Sequence, residues 1–224
     1  MGDIALYAFW IKDPEPQKKP SYKGNPVVIR VDNPKHQPHK MLARPYLNGY
    51  GDGTFRPDEP MTWAEAMTVL AKISADYDNG IAYISDYVSM DNYKWHSNYV
   101  AYIDKKINLF DVQKPFSPDT AITRKDFSII LAKLLQLLPT SNASGFSDIF
   151  DSNLDGYIAI LSQRGYINGY PDGTFMPEGW LTRAEIVAIM NRVTGLTTTN
   201  EGKISFTDIA PHHWAYDYIM SAVE

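Results

Sequence analysis

The chain of 224 residues contains no cysteine, which excludes disulfides, thiol catalysis and cysteine-ligated metal sites. It is also poor in positive charge: the net charge is −5 and the pI is near 5.5. A nucleic-acid-binding protein would need a basic face. No apolar run approaches the roughly 18 residues of a membrane-spanning helix. The first three residues lack the basic start of a signal peptide, so either the protein stays inside the cell or residue 1 is not the natural start, and we expect the second.

What the chain does contain is an internal repeat on a globular composition, with 44% hydrophobic residues. The stretch 45–73, PYLNGYGDGTFRPDEPMTWAEAMTVLAKI, returns at 165–193 as GYINGYPDGTFMPEGWLTRAEIVAIMNRV. An Asp-Gly pair in each copy, which tolerates positive φ, predicts a turn. We expect the phenylalanine after each turn, Phe55 and Phe175, to return to the core.

A helix is predicted to follow each turn. Thr62 and Thr182 are each followed three residues later by a glutamate, which is the sequence signature of a capping box. Apolar residues then recur at helical spacing, so each helix has one face to bury. These residues are Ala66, Met67, Leu70 and Ile73 in the first copy, and Ile186, Ile189, Met190 and Val193 in the second.

A degenerate third copy lies between the other two. Phe116 corresponds to Phe55 and is expected in the core, and Thr123 with Asp126 repeats the capping-box pattern. The turn residues 110–115 have lost the glycines. The helix that follows is the most apolar of the three, with Phe127, Ile130, Leu131, Leu134, Leu135 and Leu138 on its predicted buried face.

A second kind of segment also occurs three times, at 84–87, 146–149 and 206–209, and each opens a helix-like stretch. Two of these stretches continue to a tryptophan, Trp95 or Trp214, whereas the third has Leu154. The repeating unit is therefore a helix, a turn with a short extended piece, and a second helix.

These elements together resemble the S-layer homology family. The resemblance rests on Phe206-x-Asp208, on His213-Trp214-Ala215, on the turn 169–177, and on Thr182-Arg183-Ala184-Glu185. It covers residues 46–224 and implies a mainly α fold: a pseudo-threefold body with a central bundle of the three capped helices, outer helices and short β or turn segments. It also implies non-covalent anchoring of a bacterial surface protein to a secondary cell-wall polysaccharide, often one with pyruvate ketals.

The order of the units indicates a permuted ring. A half unit at 42–79 would be completed by the closing helix within 198–224, because a half unit cannot bury its apolar face alone. Whole units are predicted at 80–139 and 140–197. A chain cut in the middle of a unit is the other explanation, and both can hold.

The N-terminal residues are predicted to lie outside the repeat body. Residues 1–11 resemble the last strand of an internalin-type B repeat, which would make them the end of a preceding extracellular domain; a strand docked on the repeat body is the alternative. Residues 12–41 are a proline-rich linker, with one short strand predicted at 27–31. His36 and His39 are interpreted as solvated linker residues in preference to metal ligands.

An acidic sugar ligand needs a fixed cation, hydrogen-bond donors and an apolar platform. The family resemblance assigns the cation to Arg124 and Arg183, where helix N-terminal amides would converge on the same carboxylate. Trp63 stands at the equivalent position of the first copy, where it could stack on a sugar ring but cannot supply the charge, so that site is altered or lost. The remaining candidates are platform tryptophans, turn aspartates and glycines whose backbone a ligand can approach: Trp95, Trp214, Asp52, Asp172, Gly49, Gly53, Gly169 and Gly173.

Each of these residues also has a structural interpretation, namely turn, cap, salt bridge or core. Residues 151–156, DSNLDG, begin like a calcium loop, but Ser162 stands where that loop needs an acid. No nucleophile triad, zinc motif or phosphate loop occurs, so we expect neither an enzyme nor a cofactor. A protein–protein assembly module of a surface layer, without glycan binding, is the alternative function. A monomer is the expected oligomeric state.

Overall fold

The computed structural model describes residues 39–85, 94–109, 117–197 and 205–223. These ranges contain six helices and isolated β-bridges, and no sheet, so the predicted mainly α fold is confirmed. The helices are α1 (Trp63–Ile73), α2 (Ser97–Ile107), α3 (Arg124–Leu134), α4 (Ser152–Gln163), α5 (Arg183–Thr194) and α6 (Tyr216–Ala222). The predicted strands at 1–11 and 27–31, the linker up to residue 38, His36, the turn 110–115 and Phe116 lie outside the described residues.

Capping decides where α1 and α5 begin. Thr62 accepts a hydrogen bond from the Glu65 amide, and Glu65 in return accepts one from the Thr62 amide at 2.9 Å. Thr182 and Glu185 form the same reciprocal pair. Both predicted capping boxes are therefore confirmed. At α3 only one half of the box forms, because the shorter Asp126 side chain reaches the Thr123 hydroxyl and not its amide.

A closed cycle of backbone hydrogen bonds joins the residues just before the three capped helices. The Met61 amide donates to the Leu181 carbonyl (2.9 Å), the Leu181 amide to the Ile122 carbonyl (3.1 Å), and the Ile122 amide to the Met61 carbonyl (2.9 Å). All three side chains are completely buried. The N-terminal ends of α1, α3 and α5 are thus fixed to one another around a common centre.

Along their lengths, the capped helices pack mainly against the helix that follows each of them: α1 against α2, α3 against α4, and α5 against α6. The predicted apolar faces are buried, including Leu70 and Ile130, except that Val193 at the end of the α5 face is half-buried. Phe55 and Phe175 are fully buried, as predicted. The prediction for Leu138 is wrong: α3 ends at Leu134, the chain turns at Gln136 (φ 56°), and Leu138 is 84% exposed.

The C-terminal segment lies against the first turn. Its Asp208 carboxylate accepts the amides of Phe55 (2.8 Å) and Arg56 (2.7 Å). Asp148 holds the other turn in the same way, through the amides of Phe175 and Met176, both at 2.7 Å. At the end of α6, the Ala222 carbonyl accepts the amides of Tyr46 (2.8 Å) and Leu47 (3.0 Å). The two ends of the repeat region therefore pack together.

A buried polar network reinforces this contact between the ends. The Tyr46 hydroxyl donates to Asn191 Oδ1 on α5 at 3.0 Å. Asn191 Nδ2 in turn donates to Ser221 Oγ (2.6 Å) and the Tyr218 carbonyl (2.9 Å), both on α6. Because buried polar groups must be paired with good geometry, the network favours one register of α6 against α5.

Candidate binding cavity

The first predicted arginine, Arg183, is the first residue of α5 and is only 4% exposed. Its Nε donates to the Phe55 carbonyl at 2.9 Å and its Nη2 to the Asn48 carbonyl at 3.2 Å. The guanidinium carbon lies 4.9 Å from the ring centre of Tyr50 and 4.7 Å from that of Phe55. Arg183 therefore fastens α5 to the first turn through hydrogen bonds and cation–π contacts.

Arg124 repeats this arrangement on the other turn. It opens α3, is 3% exposed, and donates from Nε to the Phe175 carbonyl and from Nη2 to the Asn168 carbonyl, both at 2.9 Å. Its guanidinium carbon lies 5.1 Å from the ring centre of Tyr170. Two geometrically matched interfaces thus exist, one built on each intact glycine turn.

In both interfaces the third guanidinium nitrogen faces a glutamate. Arg183 Nη1 lies 3.9 Å from Glu65 Oε1, and Arg124 Nη1 lies 3.5 Å from Glu185 Oε1. These are the capping-box glutamates of α1 and α5. Each glutamate therefore has two roles: it closes its own helix N-terminus with one oxygen and faces the arginine of the neighbouring interface with the other.

The helix N-terminal amides do not converge on a ligand position, so that prediction is wrong. The Arg183 amide donates to the Glu59 carbonyl and the Ala184 amide to the Pro57 carbonyl, each at 3.0 Å. In α3 the amides of Arg124 and Lys125 likewise donate to carbonyls of the loop 177–179. Because the neighbouring loop already accepts these hydrogen bonds, the amides cannot also bind a ligand in this conformation.

A cavity of about 200 Å³ opens beside Arg183. One wall is a single face of α1, where residues three, four and seven positions apart lie on the same side. Residues of the segment 46–50 also line the cavity, as does Trp95, which is 63% exposed. The lining residues are Tyr46, Leu47, Asn48, Tyr50, Glu65, Thr68, Lys72, Trp95 and Arg183.

The predicted tryptophans differ in position. Trp95 is one of the residues that line the cavity. Trp214, the corresponding residue ahead of α6, is half-buried and stacks on His213 with ring centres 5.6 Å apart. Trp63 occupies the position of the two arginines at the start of α1, and its amide donates to the Thr120 carbonyl at 2.9 Å. The interface of Trp63 therefore lacks the guanidinium that defines the other two.

The turn residues are explained by the turns themselves. Asp52 accepts hydrogen bonds from the Thr54 amide (3.0 Å) and hydroxyl (2.6 Å), and an ion pair with Arg56 adds to these. These hydrogen bonds, with the Thr54 hydroxyl contributing most, lower the pKa of Asp52 to about 2. Asp172 makes the same contacts with Thr174, which lower its pKa as well.

The four candidate glycines are likewise accounted for by packing and turn geometry. Gly53 and Gly173 have φ of 80° and 84°, and their amides donate to the tyrosine carbonyl three residues earlier. A Cβ on Gly49 would lie 2.1 Å from the Phe206 ring, and one on Gly169 would lie 1.8 Å from the Phe146 ring. We therefore leave these glycines out of the proposed ligand contacts.

Of the cavity residues, only Trp95 and Arg183 were among the sequence-based candidates. The other seven were absent from them: Tyr46, Leu47, Asn48, Tyr50, Glu65, Thr68 and Lys72. Tyr50 and Lys72 are two of these for which the repeat supplies a signal. Tyr50 recurs as Tyr170 beside the second arginine, and burial raises the pKa of the Tyr50 hydroxyl. Lys72 recurs as a basic residue, Arg192, at the same position of α5.

The other candidate motifs hold local structure. Asp151, at the start of the calcium-like loop, caps α4 by accepting the amides of Asn153 (2.8 Å) and Leu154 (3.0 Å). His39, predicted as a solvated linker residue, is instead nearly buried, with Nε2 3.4 Å from Asp76. Burial lowers the pKa of His39, which favours its neutral form. Over the described ranges, no group of three or more His, Cys, Asp and Glu residues is arranged to hold a metal.

Comparison with known proteins covers most of the chain and not all of it. The family model for the S-layer homology domain matches residues 40–67, 145–187 and 205–224. Within the described residues, no helix has the length and apolar character needed to cross a membrane.

Two curated relatives come from Acetivibrio thermocellus. The "Cellulosome-anchoring protein" is 32% identical over 204 residues, covering 84% of this chain and 45% of the relative. "Cell surface glycoprotein 1" is 32% identical over 191 residues, covering 79% of this chain and 8% of the relative. The "Amylopullulanase" of Thermoanaerobacterium thermosulfurigenes is 24% identical over 159 residues. The chain spans less than half the length of each of these relatives.

Proposed function

Because three regions of this chain belong to the S-layer homology domain family, we propose that it is a cell-surface anchoring module that acts in the bacterial cell wall. The names of the relatives, an anchoring protein and a cell surface glycoprotein, support this location outside the cell. The chain supplies attachment and no catalysis. Its ligand is an acidic secondary cell-wall polysaccharide linked to peptidoglycan, with pyruvate ketals as the acidic groups.

The observation that carries the proposal is the cavity beside Arg183. An exposed residue with an indole ring, Trp95, lines this cavity, and aromatic rings provide the flat apolar surface on which a sugar can stack. Thr68 and Lys72 add a hydroxyl and an ammonium to the wall. With a net charge of −5, the protein attracts an acidic polymer only where cations are locally concentrated.

A second groove of the same kind is proposed beside Arg124. Tyr170, Glu185, Arg192 and Trp214 stand there at the positions of Tyr50, Glu65, Lys72 and Trp95. The interface at Trp63 has neither the arginine nor the platform tryptophan, since Leu154 replaces the latter and is buried. We therefore assign ligand binding to two of the three interfaces.

The chain contacts support a ring of three units in this proposal. The closing segment within 198–224 completes the half unit 42–79, and 80–139 and 140–197 are whole units. Pairs of equivalent contacts, Asp208 with the first turn and Asp148 with the other, repeat around the ring. The ring would be a monomer fused through the linker 12–41 to other extracellular domains.

The test is co-sedimentation with purified bacterial walls, before and after the secondary polymer is extracted. The wild-type chain should sediment with intact walls and remain in solution after extraction. Trp95→Ala should weaken binding, whereas Trp180→Ala is the matched control: Trp180 is 64% exposed and does not line the cavity. Equal binding to intact and extracted walls would refute polymer recognition.

A protein–protein assembly role has one observation in its favour. Phe150 and Leu138, before α4 and after α3, are 93% and 84% exposed, which is unusual for large apolar side chains. That role predicts concentration-dependent oligomers in sedimentation velocity, abolished by Phe150→Ser, and indifference to wall polymer.

A further inference from the structure

The cavity beside Arg183 has side chains of opposite charge at the two ends of its α1 wall. Glu65, Thr68 and Lys72 occupy one face of the helix, and all three line the cavity. Seven residues separate Glu65 from Lys72, which corresponds to about 10 Å along the helix axis. The cavity wall therefore runs from a carboxylate in the first turn of α1 to an ammonium in the last.

At the Glu65 end, the positive charge of Arg183 is already compensated. Two guanidinium nitrogens donate to the carbonyls of Phe55 and Asn48, and the third lies 3.9 Å from Glu65 Oε1. Glu65 cannot readily leave, because its other oxygen closes the capping box at 2.9 Å from the Thr62 amide. An anionic ligand group placed here would meet the carboxylate together with the guanidinium, and like charges repel.

At the other end, a basic residue recurs ten positions after each helix cap. It is Lys72 in α1, Lys133 in α3 and Arg192 in α5. A cation in the last helical turn also complements the helix dipole, which is a sufficient structural reason for the recurrence. Lys72, however, lines the same cavity as Trp95. In the corresponding groove, the guanidinium carbon of Arg192 lies 5.7 Å from the ring centre of Tyr218.

We propose that Lys72, and Arg192 in the second groove, receive the anionic group of the bound polymer, while Glu65 and Glu185 keep the neighbouring arginines in their structural role. This inference rests on the proposed polymer binding. In this proposal the buried Arg183 and Arg124 hold the walls of the two grooves together. Lys72 and Arg192, in the last turns of α1 and α5, give the grooves their preference for an acidic sugar.

The test compares two soluble probes by titration calorimetry: fragments of the wall polymer, and the same fragments with carboxyl groups reduced to alcohols. The wild-type chain should prefer the acidic fragments. Lys72→Gln should lower affinity for them by on the order of tenfold, as expected for loss of a charge-assisted hydrogen bond, and leave the reduced fragments unaffected. Lys133→Gln is the matched control, because it removes the same charge at the same register of α3, in the interface without the arginine.

Glu65→Gln supplies a second, independent outcome. Glutamine is compatible with a capping box, so the helix should persist while Arg183 loses its competing carboxylate. Affinity for the acidic fragments should rise by up to roughly fivefold. The same substitution should also raise the affinity of the Lys72→Gln variant. Glu178→Gln, which removes an exposed charge paired with Lys125, controls for net charge.

The outcomes separate the two proposals. If the wild type binds acidic fragments selectively and Lys72→Gln keeps that selectivity, the assignment of Lys72 is wrong. If Glu65→Gln weakens binding, Glu65 contacts the ligand and does not compete with it, which also overturns the inference. If the wild type binds neither probe, or both equally, the acidic-polymer function itself fails.

Discussion

Gly49→Ala probes how the C-terminal segment packs on the first turn. A Cβ at residue 49 would lie 2.1 Å from the Phe206 ring, whereas ordinary contact begins at 3.4 Å, so the ring would have to retreat by about 1 Å or more. That ring packs on the fully buried Phe55, with centres 5.5 Å apart, which restricts its retreat. Overpacking of this kind costs about 1–3 kcal/mol.

Gly51→Ala is the matched control, since nothing lies within 4 Å of its added Cβ. It should leave the free energy of unfolding unchanged or raise it by less than about 1 kcal/mol, because alanine reduces the entropy of the unfolded chain. Urea unfolding with linear extrapolation measures both variants. If Gly49→Ala and Gly51→Ala are equally stable, the C-terminal segment does not pack on the turn as described.

Three further predictions concern stability. Tyr46→Phe should lower the free energy of unfolding by about 1–2 kcal/mol, because it leaves Asn191 Oδ1 without its buried donor. Tyr166→Phe, at the corresponding half-buried position, should lower the free energy of unfolding by less. Equal losses for the two variants in urea unfolding would contradict this. The pKa of Asp52 is lowered to about 2, so its carboxylate contributes stability that is present above the unfolded pKa and lost as the pH falls through about 2. Asp52→Asn should therefore lower Tm near pH 5 and not near pH 2. A Tm difference between variant and wild type that is the same at both pH values would refute this. Arg183→Ala should lower the free energy of unfolding by about 3–5 kcal/mol, since the hydrogen-bond and ion-pair partners of Arg183 are left unpaired. A variant as stable as the wild type in thermal unfolding would show that Arg183 does not stabilise the contact between α5 and the first turn.

The repeat made much of the fold predictable. Local signals with a direct physical cause, such as the Thr–Glu capping boxes and the Asp-Gly turns, determine where α1 and α5 begin. The third cap was predicted too strongly, because aspartate at residue 126 is one methylene too short to reach back to the Thr123 amide. The end of α3 was also misjudged, since apolar periodicity continues to Leu138 past the last helical turn.

The site was less predictable, because it depends on contacts between units far apart in sequence. Arg183 is a helix-start residue in the sequence, yet its carbonyl partners lie 128 and 135 positions away. A glycine such as Gly49 has the same sequence signature whether a ligand or a phenylalanine ring approaches it. Lys72 does not stand out in the sequence as a binding residue, because a cation near a helix C-terminus is already favoured by the helix dipole.

The most direct test of the acidic-polymer account uses the indole N–H signals of the tryptophans in a ¹H–¹⁵N NMR spectrum, with single Trp→Phe variants to assign them. The chain has five tryptophans, and soluble fragments of the wall polymer are titrated into it. The account predicts that the Trp95 and Trp214 signals shift while those of Trp63 and Trp180 stay in place. A shift confined to Trp180, or no shift at saturating polymer, would contradict binding in the two arginine-framed grooves.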